Sequence, residues 1–197
     1  YVLYSKEGVL SILKAIDWNT IASRVGDKRY KHIMRVVETA CHLAERHGVD
    51  IEKAETAAMF HDICKYRDDE LLWQEAKRLN IQNLEDFKAF PQVLHAFVAA
   101  ESAKIDYGIE DEEILDAIRY HTTGIGSMSP VAEVVFLADY LEPMRNFDGV
   151  DDLRQAAEES LEKGMRESIV QNIAYLIRSR KTICPDSIRC YNHYIGR

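Results

Sequence analysis

The stretch Ala57-Ala58-Met59-Phe60-His61-Asp62-Ile63-Cys64-Lys65 decides how the rest of the chain is read. It continues a run in which Ala54, Ala57 and Ala58 precede His61 by seven, four and three residues. That spacing is one face of an α-helix, so His61 stands on the stripe that must meet a core. Asp62 stands one helical step away with a charge that an apolar interior does not accept without a partner. An imidazole and a carboxylate, adjacent and both directed inward, need something to hold. A divalent cation meets that need if other segments supply further ligands.

Outward from this stretch almost every segment reads as helix. There are only nine Gly and four Pro in 197 residues, no sustained period-two alternation, and one hairpin-like Asp-Gly at 148–149. Two short helices are expected before Arg24, then a break at Gly26 with Asp27 as cap. A long helix runs to about His47, closed by Gly48 in the position after its C-cap. Asp50 caps the next helix, which ends near Lys65. Residues 66–90 are more polar and read as one helix and a loop ending at Pro91. Helices follow at about 92–106 and 111–122, and the loop Thr122–Ser129 separates them from a helix opened by Ser129 and Pro130. That helix reaches about residue 142, and others cover about 150–164 and 166–181. The tail from Pro185 is left unassigned. The expected fold is all-α, an irregular helical bundle forming a single domain over residues 1–197.

Composition narrows the function classes. Twenty-five basic against 33 acidic residues leave a net charge of −8, which argues against a general nucleic-acid or membrane-surface binder. A local basic pocket for a phosphorylated small molecule stays open. No run is long enough to span a membrane, and no cationic start leads into an apolar leader. The chain opens on Tyr1, so its natural start is expected upstream. Cys41, Cys64, Cys184 and Cys190 form no CxxC pair, and a reduced, cytoplasmic protein is the natural expectation. A Cys184–Cys190 disulfide is sterically open but has nothing to support it.

Several polar residues occupy positions where core residues belong. His32 shares a line with Val36, Ala40 and Leu43 at spacings of four, eight and eleven. His121 follows Ile114, Ala117 and Ile118 at seven, four and three, Asp139 follows Val135 and Val131 at four and eight, and His95 lies with Val98, Ala99 and Ser102. Four histidines and two aspartates from five helices therefore aim inward. One such residue alone is more often a satisfied core polar group than a ligand. Six together, in a chain with seven histidines, favour a metal. The remaining histidines serve as controls: His42 lies among charges, His47 at a helix C-terminus where a cationic ring suits the dipole, and His193 in the tail.

Mixed imidazole and carboxylate donors suit iron, manganese, zinc, cobalt or nickel rather than magnesium or calcium, and the lack of inward thiolates argues against structural zinc. Six donors exceed the need of one ion. Two ions about 3.5–4 Å apart fit better, with Asp62 as the bridge between them.

At this point the residues resemble a known family. His32, the His61-Asp62 doublet and Asp139 follow the H…HD…D pattern of the HD-domain metal-dependent phosphohydrolases. Arg29-Tyr-Lys-His32, Thr39-Ala40, His61-Asp-Ile-Cys-Lys65, Leu94-His95, His121-Thr-Thr-Gly124, Met128 and Ala138-Asp-Tyr-Leu-Glu-Pro-Met-Arg145 are similar to one branch of it, the YqeK family of bacterial symmetrical bis(5′-nucleosyl)-tetraphosphatases. The likeness spans about residues 28–160, the expected metal-binding core, with residues 161–197 packed on it. Ala96 stands where Gly is expected and Cys64 where a small apolar residue is usual; neither removes a ligand.

The resemblance implies hydrolysis of diadenosine tetraphosphate to two ADP at a dinuclear centre, most often iron. His32, His61, Asp62 and Asp139 would hold one ion; His95 and His121, with Asp62 shared, would hold the second. A water made acidic by the ions would attack a central phosphorus. Asp62 and Lys65 would take part in catalysis, and Arg29, Lys65, Thr122, Thr123, Gly124 and Arg145 would meet phosphate. For each of these the plain alternative is a surface cation or an ordinary turn. Trp73, Phe87 and Phe90 would stack on a base or simply pack, and Tyr107 and Tyr120 read as structural. Other readings are a different nucleotide phosphohydrolase of the HD type, or a metal-dependent nucleotide sensor without turnover. A homodimer is compatible with the sequence but not specified by it.

Overall fold

The computed structural model describes residues 18–196. Among them lie ten α-helices and no strand: α1 (Trp18–Val25), α2 (Asp27–His47), α3 (Ile51–Phe60), α4 (Asp69–Arg78), α5 (Leu94–Ile105), α6 (Glu112–Tyr120), α7 (Pro130–Leu141), α8 (Val150–Glu159), α9 (Leu161–Arg178) and α10 (Pro185–Ile195). Short 3₁₀ turns at Leu84–Lys88 and Pro91–Val93 precede α5. The first of the two helices expected before Arg24 lies outside the described residues.

The chain's own capping chemistry sets most boundaries. Asp50, Asp111, Ser129 and Ser160 accept hydrogen bonds from backbone N–H groups in the first turns of α3, α6, α7 and α9, which satisfies donors that no helix can satisfy itself. Gly48 closes α2 in the left-handed conformation at φ 67°, where glycine carries no Cβ penalty. At Gly26 the expectation is corrected. Asp27 is the first helical residue and makes no cap, and Gly26 is the N-cap at φ 80°. The reason is backbone geometry: at this positive φ a Cβ is strained, so glycine takes the N-cap and the helix begins at Asp27.

Helix α3 stops at Phe60, not near Lys65. The His61 ring takes the Ala58 carbonyl at 2.6 Å, and residues 61–64 form turns in which Ile63 and Lys65 bond the carbonyls of Phe60 and Asp62. The expected helices at 150–164 and 166–181 are split instead at Ser160, whose extended backbone and hydroxyl cap end one and begin the next. The unassigned tail is helix α10, started by Pro185 in its first turn.

The core is one continuous apolar cluster from Ile21 to Tyr194. At its centre α2 and α3 meet through Ala40, Ala44, Ala54, Ala57 and Ala58, all with no exposure; small side chains let the two backbones approach closely. Helices α6 and α7 close on α3, and α5 packs on α6. This assembly carries the inward histidines. Helix α9 lies against α7 and α8 and in turn supports α10. The four cysteines are all free thiols. No helix of the described residues is long and apolar enough to cross a membrane.

Candidate metal centre

Each of the six inward residues arrives on a different structural footing. His32 is inside α2, His61 and Asp62 follow the last turn of α3, His95 is in the first turn of α5, His121 follows α6, and Asp139 is near the end of α7. The four histidines and Asp62 are buried, between 0% and 6% exposed, and the Asp139 side chain is partly exposed. The hydrogen-bond network assigns the tautomers. Nδ1–H of His61, His95 and His121 donates to the carbonyls of Ala58, Gln92 and Ile118 at 2.6, 2.9 and 2.8 Å. That leaves every Nε2 lone pair facing the same point.

Asp62 divides that point in two. Its Oδ1 lies 3.0 Å from His95 Nε2 and 3.7 Å from His121 Nε2. Its Oδ2 lies 3.4 Å from His61 Nε2 and 3.6 Å from His32 Nε2. Asp139 Oδ1 adds a 3.0 Å approach to His32 Nε2. Donor atoms of His32, His61 and Asp139, and again of His61, Asp62 and His121, fall within 4.8 Å of one another. His61 therefore stands between both groups.

The electrostatics suit a cation. Burial opposes ionisation of Asp62, but His61, His121 and His95 outweigh it and hold the carboxyl well below the usual carboxylate range. Asp139 is likewise held low against its burial by His32 and its cationic neighbours. Burial and the Lys65 ammonium push His95 down to about 3, so its ring is neutral, as a ligand must be. Among the described residues, the buried Nε2 atoms of His32 and His61 have no hydrogen-bond partner, which is costly unless something else fills the role. Two paired carboxylates and partnerless imidazole nitrogens at one centre fit a bound metal.

The centre opens through His32 and Lys65 onto a cavity of about 860 Å³. Lys28, Arg29, Lys31, Arg35, Lys65, Arg67 and Arg145 line it against a single acid, Glu142. On a chain of net charge −8, this is a local concentration of positive potential. Arg29 donates to Asp62 Oδ2 at 2.7 Å. Arg145 donates to the Asp139 carbonyl and to Oδ1 at 2.9 and 2.6 Å, so part of the fork expected to meet phosphate is given to a ligand aspartate. Lys65 Nζ sits 3.1 and 3.3 Å from the two nitrogens of His95, and burial lowers its pKa.

Other expected contacts lie elsewhere. Thr122, Thr123 and Gly124 do not line this cavity. Thr122 Oγ1 is 3.0 Å from His121 Nε2, and the Thr123 hydroxyl is buried without a partner. Gly124, at φ 62°, has Cys190 Sγ only 2.4 Å from where a Cβ would be; glycine is needed there to seat α10. Phe87 and Phe90 line a separate cavity of about 760 Å³ with Phe97 and make edge-to-face contacts, while Trp73 packs against the core.

The sequence reading missed Glu142 as a partner of the centre, although it falls in the quoted stretch Ala138–Arg145. It is 2% exposed and accepts from His32 Nδ1 at 3.2 Å, Arg35 at 2.7 and 3.3 Å, and the Met144 N–H at 2.8 Å. Burial opposes its charge, yet Arg35 and the other donors bring its pKa down to about 2. The i, i+3 spacing of His32 and Arg35 puts both on one face of α2, but only the fold brings Glu142 to that face.

The HD-domain family profile matches residues 29–144, more than half of the chain, and the protein belongs to that family. The chain is 39% identical over 177 residues to the symmetrical bis(5′-nucleosyl)-tetraphosphatase of Bacillus subtilis, covering 89% of this chain and 94% of the relative. It is 39% identical to the enzyme of that description from Staphylococcus aureus, covering 87% and 89%. Within the HD family it stands in the branch of these enzymes. A crystal structure from Clostridium acetobutylicum, described as a predicted HD superfamily hydrolase involved in NAD metabolism, superposes with a TM-score of 0.83 at 32% identity, covering 98% of each chain.

Proposed function

We propose that this protein hydrolyses diadenosine tetraphosphate symmetrically to two ADP at a two-ion centre, with iron as the native metal, in the cytoplasm. The observation that carries the reading is the Asp62 carboxylate, with one oxygen toward His95 and His121 and the other toward His32 and His61. One ion would be held by His32, His61, Asp62 and Asp139, the other by His95, His121 and Asp62. When bound, such ions supply charge neutralisation at phosphate oxygens and an acidified water.

The protein's own groups do the rest. The histidines keep Nε2 directed inward, because each Nδ1 already faces a backbone carbonyl or Glu142. Among the described residues, Lys65 has an imidazole and no carboxylate within ion-pair distance, so a substrate phosphate is a better partner than its present one. Arg29 and Arg145 each carry more donors than their aspartates take and face the cavity, where they would align the polyphosphate chain. Thr122, beside His121, would bond a phosphate oxygen at the inner end. ADP is a stable leaving group, so no strong general acid is required. The cavity's cationic lining favours a highly charged small anion, and the acidic remainder of the surface disfavours nucleic acid.

The test is anaerobic purification with metal analysis, followed by chromatography of the products from diadenosine tetraphosphate. Two iron ions per chain and ADP as sole product are expected, and Asp62→Ala should lose both the metal and the activity. AMP with ATP would mean asymmetric cleavage and overturn the reading. Metal without turnover on this substrate would shift it to another nucleotide.

A further inference from the structure

The four inward histidines present Nε2 to one centre, but they are oriented by two different devices. His61 and His121 follow the ends of their helices and His95 begins one. There the carbonyl three residues back accepts the ring Nδ1–H at 2.6–2.9 Å. His32 is the sixth residue of the 21-residue α2, where the carbonyls one turn back are bonded within the helix. Its Nδ1 is turned instead to Glu142 Oε1 at 3.2 Å, 110 residues later in the chain.

Nothing about packing calls for a carboxylate at that position. Glu142 is almost wholly buried, and a charge so placed is destabilising unless it is paired and hydrogen-bonded. The structure pairs it fully. Arg35, one turn after His32 on the same face of α2, grips both oxygens at 2.7 and 3.3 Å, and the Met144 N–H adds a bond at 2.8 Å. The turn that carries Glu142 is itself held, because Arg154 donates to the carbonyls of Leu141, Glu142 and Arg145.

We propose that Glu142, clamped by Arg35, is a positioning residue that fixes the tautomer and orientation of His32 toward the ion shared with His61 and Asp139. A carboxylate on the far nitrogen of a ligating imidazole also makes the near nitrogen a stronger donor. Glu142 borders the cavity, but its charge repels phosphate, and it would act through His32 rather than on substrate or ion. The inference rests on the two-ion reading above and sharpens it, since it assigns Glu142 to one ion and leaves the other to histidines oriented by backbone carbonyls.

The experiment strips the full chain of metal and titrates it with Co²⁺, following bound metal and the visible absorption of the ion. Wild type should take up two ions. Glu142→Gln should bind one with unchanged affinity and the other about 10–100-fold more weakly, with an altered spectrum, a lower kcat and an unchanged KM. Arg35→Gln, which leaves the carboxylate in place, should weaken the same ion by a smaller factor and carries the test if Glu142→Gln fails to fold. Two ions bound by Glu142→Gln as tightly as by wild type would overturn the positioning role while the two-ion reading stands. Loss of both ions together would overturn it too, by making Glu142 part of the general framework. A wild type that binds a single ion would instead refute the two-ion reading.

Discussion

Asp62 and its neighbours show which side chains a one-dimensional pattern can locate. Their inward aim follows from helical period, which needs only residues within two turns, and the structure places all six of them at one centre. Glu142 could not be found that way. Its partners His32 and Arg35 are 110 and 107 residues distant, and no local spacing reports a contact that the fold alone creates. Gly124 has a packing role hidden for a related reason, since the residue it makes room for, Cys190, lies 66 positions later. The cysteines supply a prediction at this scale. Burial pushes the Cys64 and Cys190 thiols up to about 12, so at pH 8 about one molecule in ten thousand carries the thiolate that reacts. Iodoacetamide on the native protein at pH 8 should leave both unmodified by mass spectrometry, whereas denatured protein should be labelled at all four positions. Rapid native labelling of Cys190 would show that α10 does not stay seated on Gly124.

Helices were legible where a cap or a glycine marks them, as at Gly48, Asp50 and Ser129. They were misjudged where a side chain ended them. The His61 ring competes for the Ala58 carbonyl, and Ser160 serves as the C-cap of α8 and the N-cap of α9 at once. The α8–α9 pairing depends on Gly164, where a Cβ would lie 2.8 Å from Ala157 Cα and 3.0 Å from its Cβ. Alanine is worth about 1 kcal/mol over glycine inside a helix, but overpacking against a backbone atom costs about 1–3 kcal/mol. Gly164→Ala should therefore lower the melting temperature while leaving metal content unchanged; a raised melting temperature would show that the pair can separate freely. Helix α4 is tied to α5 by Arg78, which grips both Asp106 oxygens at 3.0 and 2.6 Å. The Arg78 hydrogen bonds hold the Asp106 carboxyl below its usual range. Its folded-state pKa is depressed, so the stability it contributes is present above the unfolded value of about 3.9 and is lost as pH falls through the folded one. Arg78 is 45% exposed on its side chain, which limits the pair to about 0.5 kcal/mol. Asp106→Asn should cost about that much in urea denaturation at pH 7, and the difference from wild type should shrink as pH falls below about 3.9.

Over the whole molecule, charge is sorted rather than averaged. The chain is −8 overall, yet seven of its cations line a cavity that reaches the inward histidines through His32. The summed composition could not show that these residues, drawn from 28–35, 65–67 and 145, converge at a single mouth. An acidic surround with a basic cleft focuses a polyanion toward the cleft and repels it elsewhere. Such attraction reaches only about 10 Å at 0.1 M salt, so it acts on encounter and not on the bond-breaking step. Raising NaCl from about 0.02 to 0.3 M should lower kcat/KM for diadenosine tetraphosphate several-fold while kcat changes little. Arg67 is exposed, lines the cavity and lies apart from the six inward donors. Arg67→Glu reverses one charge of the cleft, and it should lower kcat/KM at low salt and flatten its dependence on salt, with kcat and metal content retained. The measurement is initial rate against substrate concentration across the salt series. If Arg67→Glu keeps the wild-type salt slope, the steering charge resides in the deeper cations, and the outer rim contributes only solubility.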